Sequence, residues 1–506
     1  MSCYFEAVRR REILFLLLIA LLAIARPAWS AEAIWKITDY GAIGDGKTLN
    51  TVAFGQAIAA CTAGGGGKVV VPAGTFLTGP IELKSNVDLD LDAAAIILFS
   101  RNFDDYPLAR VNWEGRDTVA CRSPLWGDNL HDVSVTGKGI IDGQGDGWRL
   151  VQKAKLAPEQ WDALVKSGGV VDSAKKVWYP SEIWRSGQAD LGRLRDQPGP
   201  PNLDDYVKFK TLLRPPLVLL SNCHDVLLSG PTFRNSPSWN IHLLYSDNIT
   251  VRDVTIFNPI YAQNGDGIDI DSCRNVLLTD STISAGDDDI CLKSGRDEPA
   301  RKLGRATENV TITNCVVNWG HGGVAIGSEM SGGVRNVNIS NCIFRGTDCG
   351  LRFKTTRGRG GVVENINVNN VEMSDIRGAA ILLDMYYMIK GPHVAAAVGD
   401  GTPIFRQFQF RNITCTGALR AIQVHGLPEL PIEDLTFEGL HISANAGVDI
   451  MDAKDVIMRD VQIQSRTAPA MATQDVENLT TELVSTFVNG SLPATSQPST
   501  EPAEGP

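Results

Sequence analysis

Downstream of Asp132 the chain repeats one short pattern: a polar residue, usually Asn or Asp, followed by β-branched and apolar residues in strict alternation with polar ones. Alternation of period two predicts strands with one buried face. Taking the apolar residue after each Asn or Asp gives Val226, Ile249, Val276, Val310, Val337, Ile366, Leu435 and Val456, spaced 23, 27, 34, 27, 29, 69 and 21 residues apart. The long gap predicts a further coil near Phe408–Ile413, extended by a loop over Met385–Pro403. Recurrence of short strands at this period, with no helical period of comparable length, predicts an all-β, right-handed parallel β-helix in which each coil stacks on the last. Asn at the turns fits, because it tolerates left-handed backbone and can form side-chain ladders between coils. Four Asn-Ile/Val-Thr/Ser strings (248–250, 309–311, 338–340 and 412–414) satisfy the glycosylation rule, but their regular placement favours that structural role.

Two segments break the pattern. Thr48–Cys61 has helical apolar spacing and precedes the short β-rich pieces KVVV, FLTG, IELK and VDLDLD, which predicts a helix capping the open end of the first coil. Residues 148–215 contain WRLVQKAKLAPEQWDALVKSGG, with Leu and Trp at helical spacing, followed by Pro-rich and charged stretches. This insertion of mixed structure is too long for an idle connection and is expected to line the binding face.

The ends carry a different signal. Residues 1–30 start with Arg9, Arg10 and Arg11, continue through the apolar run Ile13 to Ala25 and finish at Ala28-Trp29-Ser30, the layout of a cleavable secretory signal. The apolar run is shorter than the roughly 20 residues a membrane span needs, so no membrane attachment is expected after cleavage. Residues 31–490 are read as one β-helix domain. The Pro-, Ser- and Thr-rich 491–506 should be a disordered tail. Export to the periplasm or medium follows.

The whole chain has a formal charge of −11; its first thirty residues carry four Arg and two Glu, leaving −13 on the remainder. Such a surface argues against nucleic acid as a partner. Ten cysteines show no metal-ligand spacing. Cys223, Cys273, Cys315 and Cys342 recur beside the Asn or Asp turns, as buried stacked thiols would. Cys342 and Cys349 are the candidates for a local disulfide. A monomer is expected.

Charged clusters recur once per repeat between Asn264 and Lys354: NGDGIDIDS, AGDDDICLKSG, GHGGVAIGS and GLRFKTTRGRGG. Stacked coils could bring all four to one surface. Glycoside hydrolysis needs a carboxylic acid to protonate the leaving oxygen and a carboxylate to activate water, and about 6.5–9.5 Å between them gives inversion. Asp266 lies one coil before Asp287 and Asp288, close enough for neighbouring acids to split each other's pKa values. Arg352 and Lys354 could clamp an acidic group, the Arg through its planar fork. Each residue also has a duller reading. Asp269 and Asp271 suit turns or Ca²⁺ binding, His321 between two glycines suits a tight turn, and Arg352 with Lys354 suits a solvated face.

Taken in order, Asn264-Gly265-Asp266, Gly286-Asp287-Asp288, Gly320-His321-Gly322 and Arg352-Phe353-Lys354 resemble the polygalacturonase family of glycoside hydrolases, pectin-hydrolysing β-helix enzymes. The likeness extends to DYGAIGDGKT, PSWNIH and GSEMSGG. It implies that Asp287 is the general acid, that Asp266 and Asp288 activate water, and that His321 keeps the acid's protonation in order. It also implies that Arg352 and Lys354 hold the carboxylate of a galacturonate in an acidic pectic substrate, with no metal and no cofactor. Lys293, Tyr386 and Tyr387 are further candidates for sugar contacts. Three positions depart from the pattern: Gly265 replaces Thr, Phe353 replaces Ile, and Asp289 stands where Cys is usual. Strand alternation is expected to send Asp289 away from the site. Blocked subsites at 148–215 and 385–403 suggest exo-action. Open alternatives are a hydrolase of rhamnogalacturonan or xylogalacturonan, a Ca²⁺-dependent pectate lyase, and a non-catalytic carbohydrate-binding solenoid.

Overall fold

In a computed structural model, residues 33–197, 199–389 and 393–488 are described; the expected signal and tail lie outside them. The repeated pattern closes into a single winding of parallel strands, 27 in one continuous sheet. Its inward residues stack in unbroken columns. One runs Leu125, Val218, Ile241, Ile268, Ile290, Val324, Leu351, Ile381, Ile422, Val448, Met471, each paired with the next. A second passes from Val226 through Ile366 to Phe408 and Leu435, so the coil hidden in the 69-residue gap is present at the expected place. Parallel strands buried on the inner face gain about 25 cal/mol per Å² of apolar surface removed from water, which is why Val and Ile dominate there.

The asparagines act as the turn residues that alternation needs. Asn248, Asn275, Asn309, Asn336 and Asn365 all have φ between 55° and 58°. Each donates its side-chain amide to the preceding member, beginning with Asn248 to Asp225 Oδ1 at 3.0 Å. A left-handed backbone would cost another L-residue roughly 1–2 kcal/mol.

The capping helix spans Thr51–Ala63 and buries Ala53, Phe54, Ala57, Ile58 and Cys61 on the end of the coil. Residues 148–215 fold as a small mixed layer with helices Pro158–Lys166, Glu182–Ser186 and Gln188–Arg195. They have their own apolar core around Trp148, Trp184, Tyr206 and Phe209. Arg149, fully buried, ties this layer to the coil by donating to Ser236 O at 3.0 Å and Asn235 Oδ1 at 2.6 Å.

The candidate Cys342–Cys349 disulfide is not formed, and the nine cysteines of the described residues are free thiols. Both lie on the extended ribbon Val334–Lys354, where seven residues span up to about 20 Å. Cys342 Sγ instead caps Ser340 O at 3.1 Å inside the wall, one rung from Cys315. Among the described residues no helix is long and apolar enough to cross a membrane.

Replacing Asn309 by Ala should remove two ladder hydrogen bonds and force alanine into left-handed backbone. We expect a loss of about 2–4 kcal/mol in urea unfolding, with Asn309→Gly losing less because glycine accepts that φ.

Candidate active site

Four neighbouring rungs of one sheet face build the site. Ile268–Asp271, Ile290–Lys293, the end of Val316–Ile326 and the end of Val334–Lys354 lie side by side, with Asp269, Cys291, Ala325 and Arg352 in one register column. The acids sit in the turns that enter these strands. Backbone bonds lock the turns together: the Gly267 amide donates to Asp288 O at 3.0 Å, Asp289 to Gly322 O at 2.9 Å, and His321 to Asp287 O at 2.8 Å. Asp266 is therefore held one rung from Asp288. A side chain at Gly322 would lie 2.9 Å from Asp288 Oδ1, so only glycine leaves that carboxylate its space.

Asp288 is almost fully buried. Its Oδ1 accepts from Arg352 Nη1 at 2.8 Å and its Oδ2 from Lys354 Nζ at 2.7 Å. Burial opposes its charge, but Lys354 and Arg352 overcome it and hold the carboxyl far below the usual range. Asp266 is driven the other way: burial, then the charges of Asp269 and Asp287, push it well up, and its Oδ1 has no hydrogen-bond partner. Oxygens of Asp266 and Asp288 and Cys291 Sγ lie within 4.8 Å of one another. The two carboxyls therefore converge on one point from adjacent rungs. By distance the three groups could also hold a cation, yet Lys293, Arg352 and Lys354 already direct positive charge into the same space.

Asp287 is more accessible than its neighbours. Its Oδ1 lies 3.1 Å from His321 Nδ1, and His321 Nε2 is 3.8 Å from Asp348 Oδ2. Burial would raise Asp287, but the bond to His321 and its charge leave it lower than usual. Burial works against charge on His321, and Asp287 outweighs it, so the imidazole holds its proton more tightly than an isolated one.

The remaining expected residues divide. Lys293 enters the site, with Nζ 3.9 Å from Asp266 Oδ2, 3.6 Å from Asp269 Oδ1 and 4.8 Å above the Trp239 ring. Tyr387 covers the cations, its ring 5.1 Å from Lys354 Nζ and 5.9 Å from the Arg352 guanidinium. Tyr386 is occupied elsewhere, accepting from Arg357 Nη2 at 3.2 Å and stacking on His393. Asp271 accepts from Gly295 N and Ser272 Oγ, a turn role. Asp289 is fully buried behind Gly320, with both side-chain oxygens unpartnered; burial and Asp288 push its carboxyl well up, toward the neutral form.

Several neighbours were not legible in advance. Cys291 Sγ lies 3.7 Å from Asp266 Oδ2 and 3.8 Å from Asp288 Oδ2. Glu329 lies 3.5 Å from Lys293 Nζ. Arg214, at the end of the insertion, donates to Gln263 O at 2.7 Å and Asn264 Oδ1 at 2.9 Å, bracing the turn before Asp266. Strand parity marks Cys291 and Asp269 as sharing a face with Arg352, and GSEMSGG and PSWNIH contain Glu329 and Trp239.

Residues 206–461 match the sequence profile of the glycosyl hydrolases family 28. The chain belongs to that family. Residues 34–105 also match a profile described as rhamnogalacturonase A/epimerase, pectate lyase-like. Among family 28 relatives, a probable polygalacturonase of Vitis vinifera is 31% identical over 424 residues, 81% of this chain and 75% of that protein. An exo-poly-alpha-D-galacturonosidase of Dickeya chrysanthemi is 28% identical over 83% of this chain and 69% of its own length. The crystal structure of an exopolygalacturonase from Thermotoga maritima superposes with a TM-score of 0.70 at 27% identity, covering 90% of this chain and 93% of that one.

Lys354→Met leaves Asp288 buried with one cation instead of two. Stability should fall by about 3–5 kcal/mol in denaturant unfolding, as for other broken buried pairs. The Asp288 carboxylate is held below its ordinary pKa, so its ionised form is lost as pH falls through that depressed value. With Lys354 gone this loss should begin at higher pH, moving the acid limb of kcat/KM upward.

Proposed function

We propose that the protein hydrolyses α-1,4-galacturonosidic bonds of polygalacturonate with inversion, and that it acts from chain ends. The observation that carries this reading is the convergence of Asp266 on the cation-paired Asp288, their ligand atoms within 4.8 Å, with the Asp287–His321 pair beside them. Asp288 and Asp266 activate water between them. Asp287 protonates the leaving oxygen. In the free enzyme His321 holds its proton more tightly and Asp287 less tightly than usual, each because of the other, so the proton between them favours the imidazole. His321 thereby keeps a proton available to Asp287 when a sugar oxygen arrives.

Arg352 uses Nη1 on Asp288, and its fork leaves further N–H groups for the carboxylate of a bound galacturonate. Lys354 supplies charge from behind, Tyr387 offers a ring face to a pyranose, and Lys293 over Trp239 closes the floor. The related exo-acting proteins, together with the insertion against the Asp266 turn, support release of terminal sugars. A polymeric substrate of this kind is met outside the cell, consistent with the leader expected over 1–30.

Asp287→Asn should reduce kcat on polygalacturonate by about 10²–10⁴-fold while leaving binding measurable. Proton NMR of the first-formed product should show the inverted anomer; a retained anomer, or an unsaturated product sensitive to chelator, would overturn the hydrolytic mechanism. The His321 proton is held below its raised pKa and lost as pH climbs through it. In His321→Gln only the Asp287 carboxyl can hold that proton, so the alkaline limb of the pH–kcat profile should move to lower pH.

A further inference from the structure

Between the end of the strand Ala95–Phe99 and the coil strand Leu125–Asp128 the chain leaves the winding and forms an antiparallel hairpin, Leu108–Trp113 with Arg116–Cys121. Its turn has two residues, Glu114 at φ 50° and Gly115 at φ 71°, the mirror-image turn that fits a tight, twisted ribbon. The root is fixed: Val119 and Cys121 are buried in the insertion's apolar core, Cys121 N donates to Leu213 O, and Arg110 donates to Pro201 O.

The tip reaches the catalytic rungs. A side chain at Gly115 would lie 2.3 Å from Arg296 N, so the turn rests on the backbone that follows Ile290–Lys293. Trp113 stacks on Trp239 with ring centroids 4.3 Å apart, and Lys293 Nζ, 3.9 Å from Asp266, lies over that same Trp239 ring. The dimensions agree. From Leu125–Asp128 to Ile290–Lys293 the sheet advances four rungs through Val218–Ser221, Ile241–Leu244 and Ile268–Asp271. At about 4.8 Å each this is roughly 19 Å, the length of a six-residue strand.

From this geometry we infer that the Leu108–Cys121 hairpin is the stop of the substrate cleft: running along the stack from the rungs before Asp266 to the turn after Lys293, with Trp113 clamped on Trp239, it makes a blind end that admits a terminal sugar and excludes a continuing chain. This rests on the exo-acting reading above and assigns it to a specific element. The hairpin's rigidity, from its two-residue turn and its anchoring at both ends, is what a stop requires. Trp113 is the specificity-determining residue, because removing its indole uncovers Trp239 and opens the floor toward the preceding rungs.

The test compares early products from long polygalacturonate by anion-exchange chromatography for three proteins: the wild type, Trp113→Ala, and a chain in which residues 110–119 are replaced by a short Gly-Ser connection. The wild type should release monomer alone, and both variants should add a ladder of oligomers. Should the shortened chain fail to fold, Trp113→Ala decides, since it leaves Val119 and Cys121 in place. A trigalacturonate bearing a bulky tag at the terminus seated in the blind end gives a second readout; the wild type should leave it intact and Trp113→Ala should cleave it. Monomer alone from folded, active Trp113→Ala, with the tagged sugar still refused, overturns the hairpin's role while sparing the exo reading. A ladder from the wild type overturns both.

Discussion

An aspartate with almost no solvent contact stays ionised only if cations replace the water it has lost, and Asp288 depends on Arg352 and Lys354 for this. Those cations stand two rungs beyond the strand that Asp288 leads into. Their approach is therefore a property of the winding: a slip of one residue would turn Arg352 to the other face of the sheet. The apolar columns and the Asn ladder, far from this cluster, thus set the charge state of Asp288.

The same register distributes protons among four clustered acids. Asp288 has two cations and is ionised, Asp287 shares a proton with His321, and Asp266 and Asp289 lack full compensation and are pushed toward the neutral form. Four identical side chains within 24 residues thus hold different states because each faces a different set of neighbours. Asp289, driven toward its neutral form by burial and by Asp288, adds less negative charge to the cluster than an exposed acid would.

Much of this was legible in the residues. Period-two alternation with Asn at each turn announced the coils, and even the coil at Phe408 could be placed from a gap in the count. The four charged motifs were legible because each reports a local turn or strand end whose meaning survives without its surroundings. What escaped depended on long-range placement. Cys291 and Glu329 join the site through register rather than through any local signal. Tyr386 and Tyr387 look alike in sequence, yet only Tyr387 covers the cations, because the ring of its neighbour is drawn to Arg357 and His393. The 108–121 hairpin is an ordinary alternating stretch whose importance comes from where its tip lands.

Coil lengths in this protein vary widely, yet Phe408 lies in register beneath Ile366 despite the excursion between them. Lengthening a surface loop adds little closure entropy, about 0.6 kcal/mol per doubling. The winding accordingly counts in rungs and is indifferent to residues spent between them. A scaffold of that kind can acquire a hairpin, an insertion or a covering loop at any coil without moving its acids, so the surface around the cluster can change while Asp266, Asp287 and Asp288 stay in place.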